Sequence, residues 1–189
     1  MKNVFLIAAV AALTACNSST DKKEDAMGTM SSDSTKKEDV VYAYPVNYSN
    51  WEIADSKNAQ TILNLWKDWD NADLSKSKNN FADTVELHFR DGGYMKGSRD
   101  SVIAAAQTER NTMSSVVSSV YSVVSLKGHN NPTNENENWV AVWGKEVSTN
   151  KKGKTDSTFL HEIWRLNKDG KADLLFQLSA PLAPSAKMK

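Results

Sequence analysis

The chain has 189 residues, enough for one domain of ordinary size with some terminal sequence to spare. Its 23 basic and 23 acidic side chains cancel, so nothing in the net charge favours a polyanionic partner, and no nucleic acid is expected. Its single cysteine excludes a disulfide within one copy, so the apolar core must hold the fold together.

A short apolar segment that ends in the cysteine opens the chain. Lys2 precedes an apolar run over residues 4–13. The run is shorter than the about twenty residues of a membrane span and is typical of a secretory signal peptide. The boundary Leu13-Thr14-Ala15-Cys16 resembles the lipobox of bacterial lipoproteins. That resemblance implies removal of residues 1–15, acylation of Cys16 with palmitate-type chains, and anchoring in a lipid bilayer. We therefore expect an exported lipoprotein that faces the periplasm or the cell surface.

Polar and charged residues dominate the next segment. Residues 17 to about 40 contain almost no large apolar side chains, so burial cannot offset the entropy that ordering would remove. We predict the lipidated cysteine and a flexible polar tether over residues 16–48. The folded domain is predicted over residues 49–180, and a disordered tail over residues 181–189.

Three helices are predicted early in the domain. Asp55 or Ser56 can cap the first, whose apolar residues recur at helical spacing and are Ile62, Leu65, Trp66 and Trp69. Asp73 can cap a short second helix that runs to about Phe81. Asp100 can cap a third helix, in which Val102 and Ile103 are apolar.

Strands fill the rest of the domain. Val85, Leu87 and Phe89 alternate with polar residues and predict a half-buried strand. Further strands are predicted over residues 114–126, 139–147, 158–166 and 172–178, with a loop over 128–138 and a hairpin tip over 150–154. Helices followed by hairpin-linked strands predict an α+β fold. We expect three N-terminal helices packed on the concave face of a curved antiparallel sheet.

Several short motifs occur in an order that is typical of one superfamily. They are Asn71-Ala72-Asp73-Leu74, Phe81-Ala82-Asp83, Gly97 with Val102-Ile103, Trp164-Arg165-Leu166 and Asp169-Gly170-Lys171. Over about residues 51–180 the chain therefore resembles the nuclear transport factor 2-like superfamily. Its SnoaL-like branch includes polyketide cyclases, and ketosteroid isomerases share the fold. The resemblance implies a cone-shaped, cystatin-like or SnoaL-like roll that surrounds a pocket.

The resemblance also locates the catalytic positions of the ketosteroid isomerases on this chain. Their general base falls at Phe89, their tyrosine donor at Leu65 and their acidic donor at Glu162. Neither phenylalanine nor leucine can abstract a proton or donate a hydrogen bond, so isomerase catalysis is not expected and no catalytic residue is assigned. A one-residue gap would place His88 at the base position, but it would turn the apolar residues of that strand out of the core.

Glu162 is the polar group that the predicted pocket retains. It shares strand parity with Trp164, and a buried carboxyl without a charge partner has a raised pKa and can donate a hydrogen bond. The alternative is a rim position or a pair with a lysine or arginine. We predict that the pocket binds an apolar or aromatic small molecule through Leu65, Trp66, Trp69, Leu87, Phe89, Trp143, Glu162 and Trp164.

Metal ions and cofactors are not expected. The three histidines lack metal-ligand spacing, and no phosphate-binding glycine motif is present. Asp68, Asp70 and Asp73 at the end of the first helix are typical of solvated acids, with a cation site as the alternative. Three functions stay open. The chain is a non-enzymatic binding protein, a lyase, isomerase or hydrolase acting on a cyclic substrate, or a dimeric interaction module with a filled core. A homodimer would form through the sheet.

Overall fold

The computed structural model describes residues 41–181, with only the backbone described for Pro181. The predicted signal peptide (1–15), Cys16 and nearly all of the predicted tail lie outside the described residues. Within residues 41–181, no helix has both the length and the apolar content that crossing a membrane requires.

Seven strands and three helices follow one another along the described chain. The strands are β1 (Tyr48–Ile53), β2 (Phe81–His88), β3 (Tyr94–Ser98), β4 (Met113–Asn130), β5 (Glu135–Asn150), β6 (Thr155–Leu166) and β7 (Ala172–Pro181). The helices are α1 (Ser56–Asp70), a 3-10 helix (Leu74–Asn79) and α2 (Arg99–Arg110).

All seven strands belong to one sheet in the order β1-β4-β5-β6-β7-β2-β3. Five of its neighbouring pairs are antiparallel, and β2 runs parallel to β7. The predicted α+β class with three helices is confirmed. The sheet is mixed and not purely antiparallel, because the last strand, β7, pairs with β2 in the parallel direction.

Helix α1 begins where its sequence predicts, and side chains satisfy backbone groups at both of its ends. The Asp55 side chain accepts a hydrogen bond from the backbone N–H of Lys57 and caps the helix start. At the other end, the Arg110 guanidinium donates to the backbone carbonyls of Trp69 and Asp70. A cation there satisfies free carbonyls and suits the negative end of the helix dipole.

The second helix is shorter and tighter than predicted. It is a 3-10 helix that ends at Asn79, and Phe81 is already the first residue of β2. The Asp73 side chain does not cap it and instead binds Ser75 and Lys76. Serine and asparagine are weak helix formers, which explains why this segment does not become an α-helix.

Two further predictions about local structure were wrong. Ser98, not Asp100, caps α2 by accepting from the backbone N–H of Ser101. The predicted loop over 128–138 is mostly strand, because β4 and β5 continue pairing as far as Asn130 and Glu135. The edge strands β1 and β3 were not predicted.

The core lies between the helices and one face of the sheet. Its sheet side is formed by apolar residues of β2, β5, β6 and β7, and its helix side by α1 and α2. Val85 and Leu87 are buried, which confirms the ungapped register of β2 and directs His88 to the other face. There the His88 ring stacks on Phe176 at 4.8 Å between ring centres.

Candidate functional site

A cavity of about 490 Å³ remains between the helices and the inner face of the sheet. Seven of the eight predicted pocket residues line it: Leu65, Trp66, Trp69, Leu87, Phe89, Glu162 and Trp164. The core is therefore not filled, contrary to one of the three alternatives. A mostly apolar cavity of this size with a few polar groups is typical of a small-molecule site.

Trp143 is the predicted pocket residue that lies elsewhere. Its neighbours on β5, Val142 and Gly144, are buried, so strand alternation directs Trp143 to the outer face. There its ring stacks on His161 at 4.7 Å between ring centres and borders a separate, shallow groove of about 390 Å³. The expectation that Trp143 faces the cavity is corrected.

Glu162 is buried and lies in a network of three hydrogen-bond donors. Its Oε2 accepts from the indole Nε1 atoms of Trp66 at 2.6 Å and Trp164 at 2.8 Å. Its Oε1 accepts from the Nε2 atom of Gln177 at 2.7 Å. Within residues 41–181, Glu162 forms no salt bridge, so the rim and ion-pair alternatives do not apply.

Burial raises the pKa of the Glu162 carboxyl above its usual range. The hydrogen bonds from Gln177, Trp164 and Trp66 act in the opposite direction because they favour the ionised form, and the charge of Glu146 adds to the upward shift. Since most acceptor positions of the carboxylate are occupied by the protein, Glu162 holds two indole rings in place around the cavity.

Glu146 is a second carboxyl in the same cavity, nearer the solvent. It is half-buried on β5, and its Oε2 accepts from the indole Nε1 of Trp69 at 2.9 Å. Burial raises its pKa, while Arg90 and Arg110 lower it and Asp70 raises it further. Unlike Glu162, it has one side-chain donor among the described residues, so its carboxylate retains acceptor capacity.

Exposed charged residues surround the solvent side of the cavity. Arg90 and Asp91 belong to the turn between β2 and β3, and Glu109 lies near the end of α2. The burial of the charged groups therefore increases along the cavity. The groups at its entrance are exposed, Glu146 is half-buried, and Glu162 is buried in its hydrogen-bond network.

Residues 41–181 contain no group of three or more histidine, cysteine or acidic side chains that could hold a metal ion. The acidic end of α1 is engaged in other contacts. Asp68 accepts from the Ser77 hydroxyl, and Asp70 accepts from the backbone N–H and hydroxyl of Ser118.

The outer face of the sheet exposes a continuous group of apolar side chains, called here the outer aromatic face. Its members lie on neighbouring strands and are Tyr94, Tyr121, Trp143, Phe159, Phe176 and Leu178, each at least 39% exposed. Cross-strand pairing joins Phe176 to His88, and His88 to Tyr94.

No family model and no curated protein matches the chain. Solved structures match it by shape. An LEH-like epoxide hydrolase from Mycobacterium tuberculosis has a TM-score of 0.53 at 6% identity and covers 66% of this chain and 84% of its own. A SnoaL-like candidate polyketide cyclase from Jannaschia sp. CCS1 has a TM-score of 0.52 at 13% identity, with coverages of 66% and 86%. An NTF2-like protein of unknown function from Burkholderia pseudomallei K96243 has a TM-score of 0.51 at 18% identity, with coverages of 65% and 90%.

The chain has the NTF2-like fold. This confirms the fold that the sequence motifs suggested, and at these identities it establishes the fold alone. Leu65, Phe89 and Glu162, the three positions singled out by the sequence resemblance, all line the cavity of this NTF2-like domain. Leucine and phenylalanine can neither abstract a proton nor donate a side-chain hydrogen bond at two of these positions.

Glu146 and Gln177 are two of the polar cavity residues that the sequence did not predict. A sequence signal for Glu146 exists, because it shares strand parity with Val142 and Gly144, which are buried. If Trp143 faced inward, strand alternation would direct Glu146 outward, so the expected position of Trp143 hid Glu146 as a cavity residue. Gln177 pairs directly with Glu162 across β6 and β7, a register that the sequence does not reveal.

Proposed function

We propose that this chain is a lipid-anchored, exported protein whose NTF2-like domain binds an apolar or aromatic small molecule without catalysis. The observation that carries the binding proposal is the cavity of about 490 Å³, walled by indole, phenyl and aliphatic side chains. The hydrogen-bond partners of Glu162 are two indoles and an amide, none of which titrates near neutral pH. Among the described residues, no second titratable side chain forms a hydrogen bond with Glu162.

A cavity-filling substitution tests the binding proposal. Ala106 lines the cavity from α2, so Ala106→Phe is expected to weaken binding of a neutral aromatic probe, naphthylmethanol, by about tenfold or more. Ala104→Phe is the matched control, because Ala104 is exposed on the same helix. Calorimetric titration of residues 17–189 gives both affinities. Equal affinity in the two variants, or no binding to the unsubstituted chain, would contradict the proposal.

A second candidate is a lyase, isomerase or hydrolase that acts on a cyclic substrate. The observation that favours it is Glu146, a cavity carboxyl whose pKa is raised by burial, since carboxyls in such surroundings can act as general acids. Mass spectrometry of the titrated probe and of cyclic epoxide probes distinguishes the two candidates. Conversion that is lost in Glu146→Gln supports the enzyme, and recovery of every probe unchanged supports the binding protein.

Lipidation at Cys16 places the domain at a membrane. Two or three acyl chains suffice for stable anchoring, at about 0.8 kcal/mol for each buried methylene. In a bacterium supplied with labelled palmitate, the full-length chain is expected to incorporate the label and to fractionate with membranes. Cys16→Ser is expected to do neither, and an unlabelled wild type would contradict the proposal.

A second copy of the chain is the proposed partner of the outer aromatic face. Soluble monomers rarely expose a contiguous apolar patch of more than a few hundred Å², and a sheet face can pair with itself about a two-fold axis. The solution mass of residues 17–189 tests this. A dimer mass supports it, whereas a monomer mass at every concentration contradicts it.

A further inference from the structure

The charges around the cavity are unequal, and this bears on the ligand. Four carboxyl side chains line it, Asp91, Glu109, Glu146 and Glu162, whereas Arg90 is the one basic side chain among its described lining residues. A cavity with low-dielectric walls and an excess of one charge concentrates ligands of the opposite charge. The nearby Asp70 and Arg110, which also act on Glu146, offset one another.

Glu146 has the position of a ligand contact within this cavity. No lysine or arginine forms a salt bridge with it among residues 41–181, and its Oε1 has no side-chain partner there. Glu146 is four residues along β5 from Val142, the register partner of Glu162. At about 3.3 Å per residue along the strand and about 4.8 Å between strands, the backbone positions of the two residues lie about 14 Å apart. Glu146 can therefore bind one end of a ligand whose other end reaches toward Glu162.

Three indole rings around the cavity are oriented by the same carboxylates. Trp66 and Trp164 donate their N–H groups to Glu162, and Trp69 donates its N–H to Glu146. Hydrogen bonding to an anion polarises the donor and increases the electron density of its ring. Indole faces attract ammonium groups, and the attraction grows when water is excluded.

We propose that the cavity takes an organic cation: a protonated amine on an aromatic or aliphatic body, with its ammonium group against Glu146 and its body among the indoles. This assignment rests on the proposed function, because it names the ligand class of the same cavity. It explains why an apolar cavity carries a half-buried carboxylate that forms no salt bridge among the described residues. A neutral ligand would desolvate that carboxylate further without bringing an opposite charge to it.

Three probes of one shape and different charge test the assignment. They are naphthylmethylamine (a cation), naphthylmethanol (neutral) and naphthoate (an anion), titrated calorimetrically into residues 17–189 at pH 7. The amine is expected to bind about tenfold or more tightly than the alcohol, and naphthoate most weakly. In Glu146→Gln, which keeps the shape of the side chain, the preference for the amine is expected to disappear while the alcohol still binds.

Glu135→Gln is the matched control, because Glu135 is an exposed residue paired with Lys168 and is not among the cavity residues. It should leave the amine preference unchanged. If the alcohol binds as tightly as the amine, or the preference survives in Glu146→Gln, the cation assignment is overturned and the proposed function stands. If none of the three probes binds, both are overturned.

Discussion

Glu162→Met is expected to lower the free energy of unfolding by about 3–5 kcal/mol, because each buried donor left without an acceptor costs about 1–3 kcal/mol. Methionine has a similar shape but cannot accept from Trp66, Trp164 and Gln177. Chemical denaturation of residues 17–189 at pH 7 measures the difference. A loss below about 1 kcal/mol would show that these hydrogen bonds contribute little.

Glu162→Gln separates the hydrogen bonds from the charge. Glutamine offers one oxygen to the two indoles, and rotation of the Gln177 amide lets its oxygen accept from the new amide, so the loss should be much smaller than for methionine. The pKa of Glu162 is raised in the folded state. Its protonated form therefore stabilises the fold below its usual pKa of about 4.3, and that stabilisation is lost as pH rises through the folded pKa.

The pH dependence gives this prediction a second measurement. From pH 5 to pH 8, Glu162→Gln should become more stable relative to the wild type, because glutamine does not ionise. Unfolding free energies of both proteins at the two pH values test this. An equal difference at pH 5 and pH 8 would contradict burial of an ionisable, desolvated carboxyl at this position.

Gly144→Ala is expected to lower the free energy of unfolding by about 2–3 kcal/mol through overpacking. A Cβ atom at Gly144 would lie 2.7 Å from the backbone oxygen of Ser119 and 2.8 Å from two ring atoms of Trp66. Ser119 belongs to the paired strand β4 and cannot move freely, and Trp66 is held by Glu162. The substitution should therefore also disturb the cavity wall.

Gly97→Ala is the matched control for this prediction. Gly97 is also in a strand, but its added Cβ would meet only the Cβ of Ser101, at an ordinary distance of 3.8 Å. We expect little change in the unfolding midpoint for this variant. Equal losses in the two variants would point to a general effect of replacing a strand glycine instead of the contact with Trp66.

The sequence predicted those elements whose pattern and end signals agree. Helix α1 has apolar residues at helical spacing and Asp55 at its start, and both predictions hold in the structure. The alternation around Val85 correctly assigned the inward face of β2, and the parity of Glu162 with Trp164 correctly placed a carboxyl in the core.

Elements that depend on distant partners were not predictable from local sequence. The polar residues near Asn130 and Glu135 read as a loop, yet pairing between β4 and β5 extends through them. Asn130 is buried there, and its Nδ2 donates to Tyr48, which lies far away in the chain, and to Glu137, which lies across the turn. Cross-strand contacts of this kind outweigh intrinsic propensity.

The face of the sheet assigned to Trp143 determines whether Glu146 is expected inside or outside the cavity. A large apolar residue such as Trp143 is usually expected to face the core. This sheet, however, also exposes aromatic residues on its outer face. Gly144 is the inward residue because Trp66 needs the space that a side chain would fill. That close approach of α1 to β5 is a tertiary contact, and it determines which face Glu146 occupies.

The six tryptophans allow the most direct test of ligand binding in the cavity. Trp66, Trp69 and Trp164 line it, whereas Trp51, Trp139 and Trp143 are not among its lining residues. In nitrogen-15 correlation spectra of residues 17–189, assigned by single Trp→Phe substitutions, saturating naphthylmethylamine or naphthylmethanol is expected to shift the indole signals of the first three and leave the others in place. Shifts confined to Trp143, or no shift in any of the three cavity indoles, would contradict the proposed binding site.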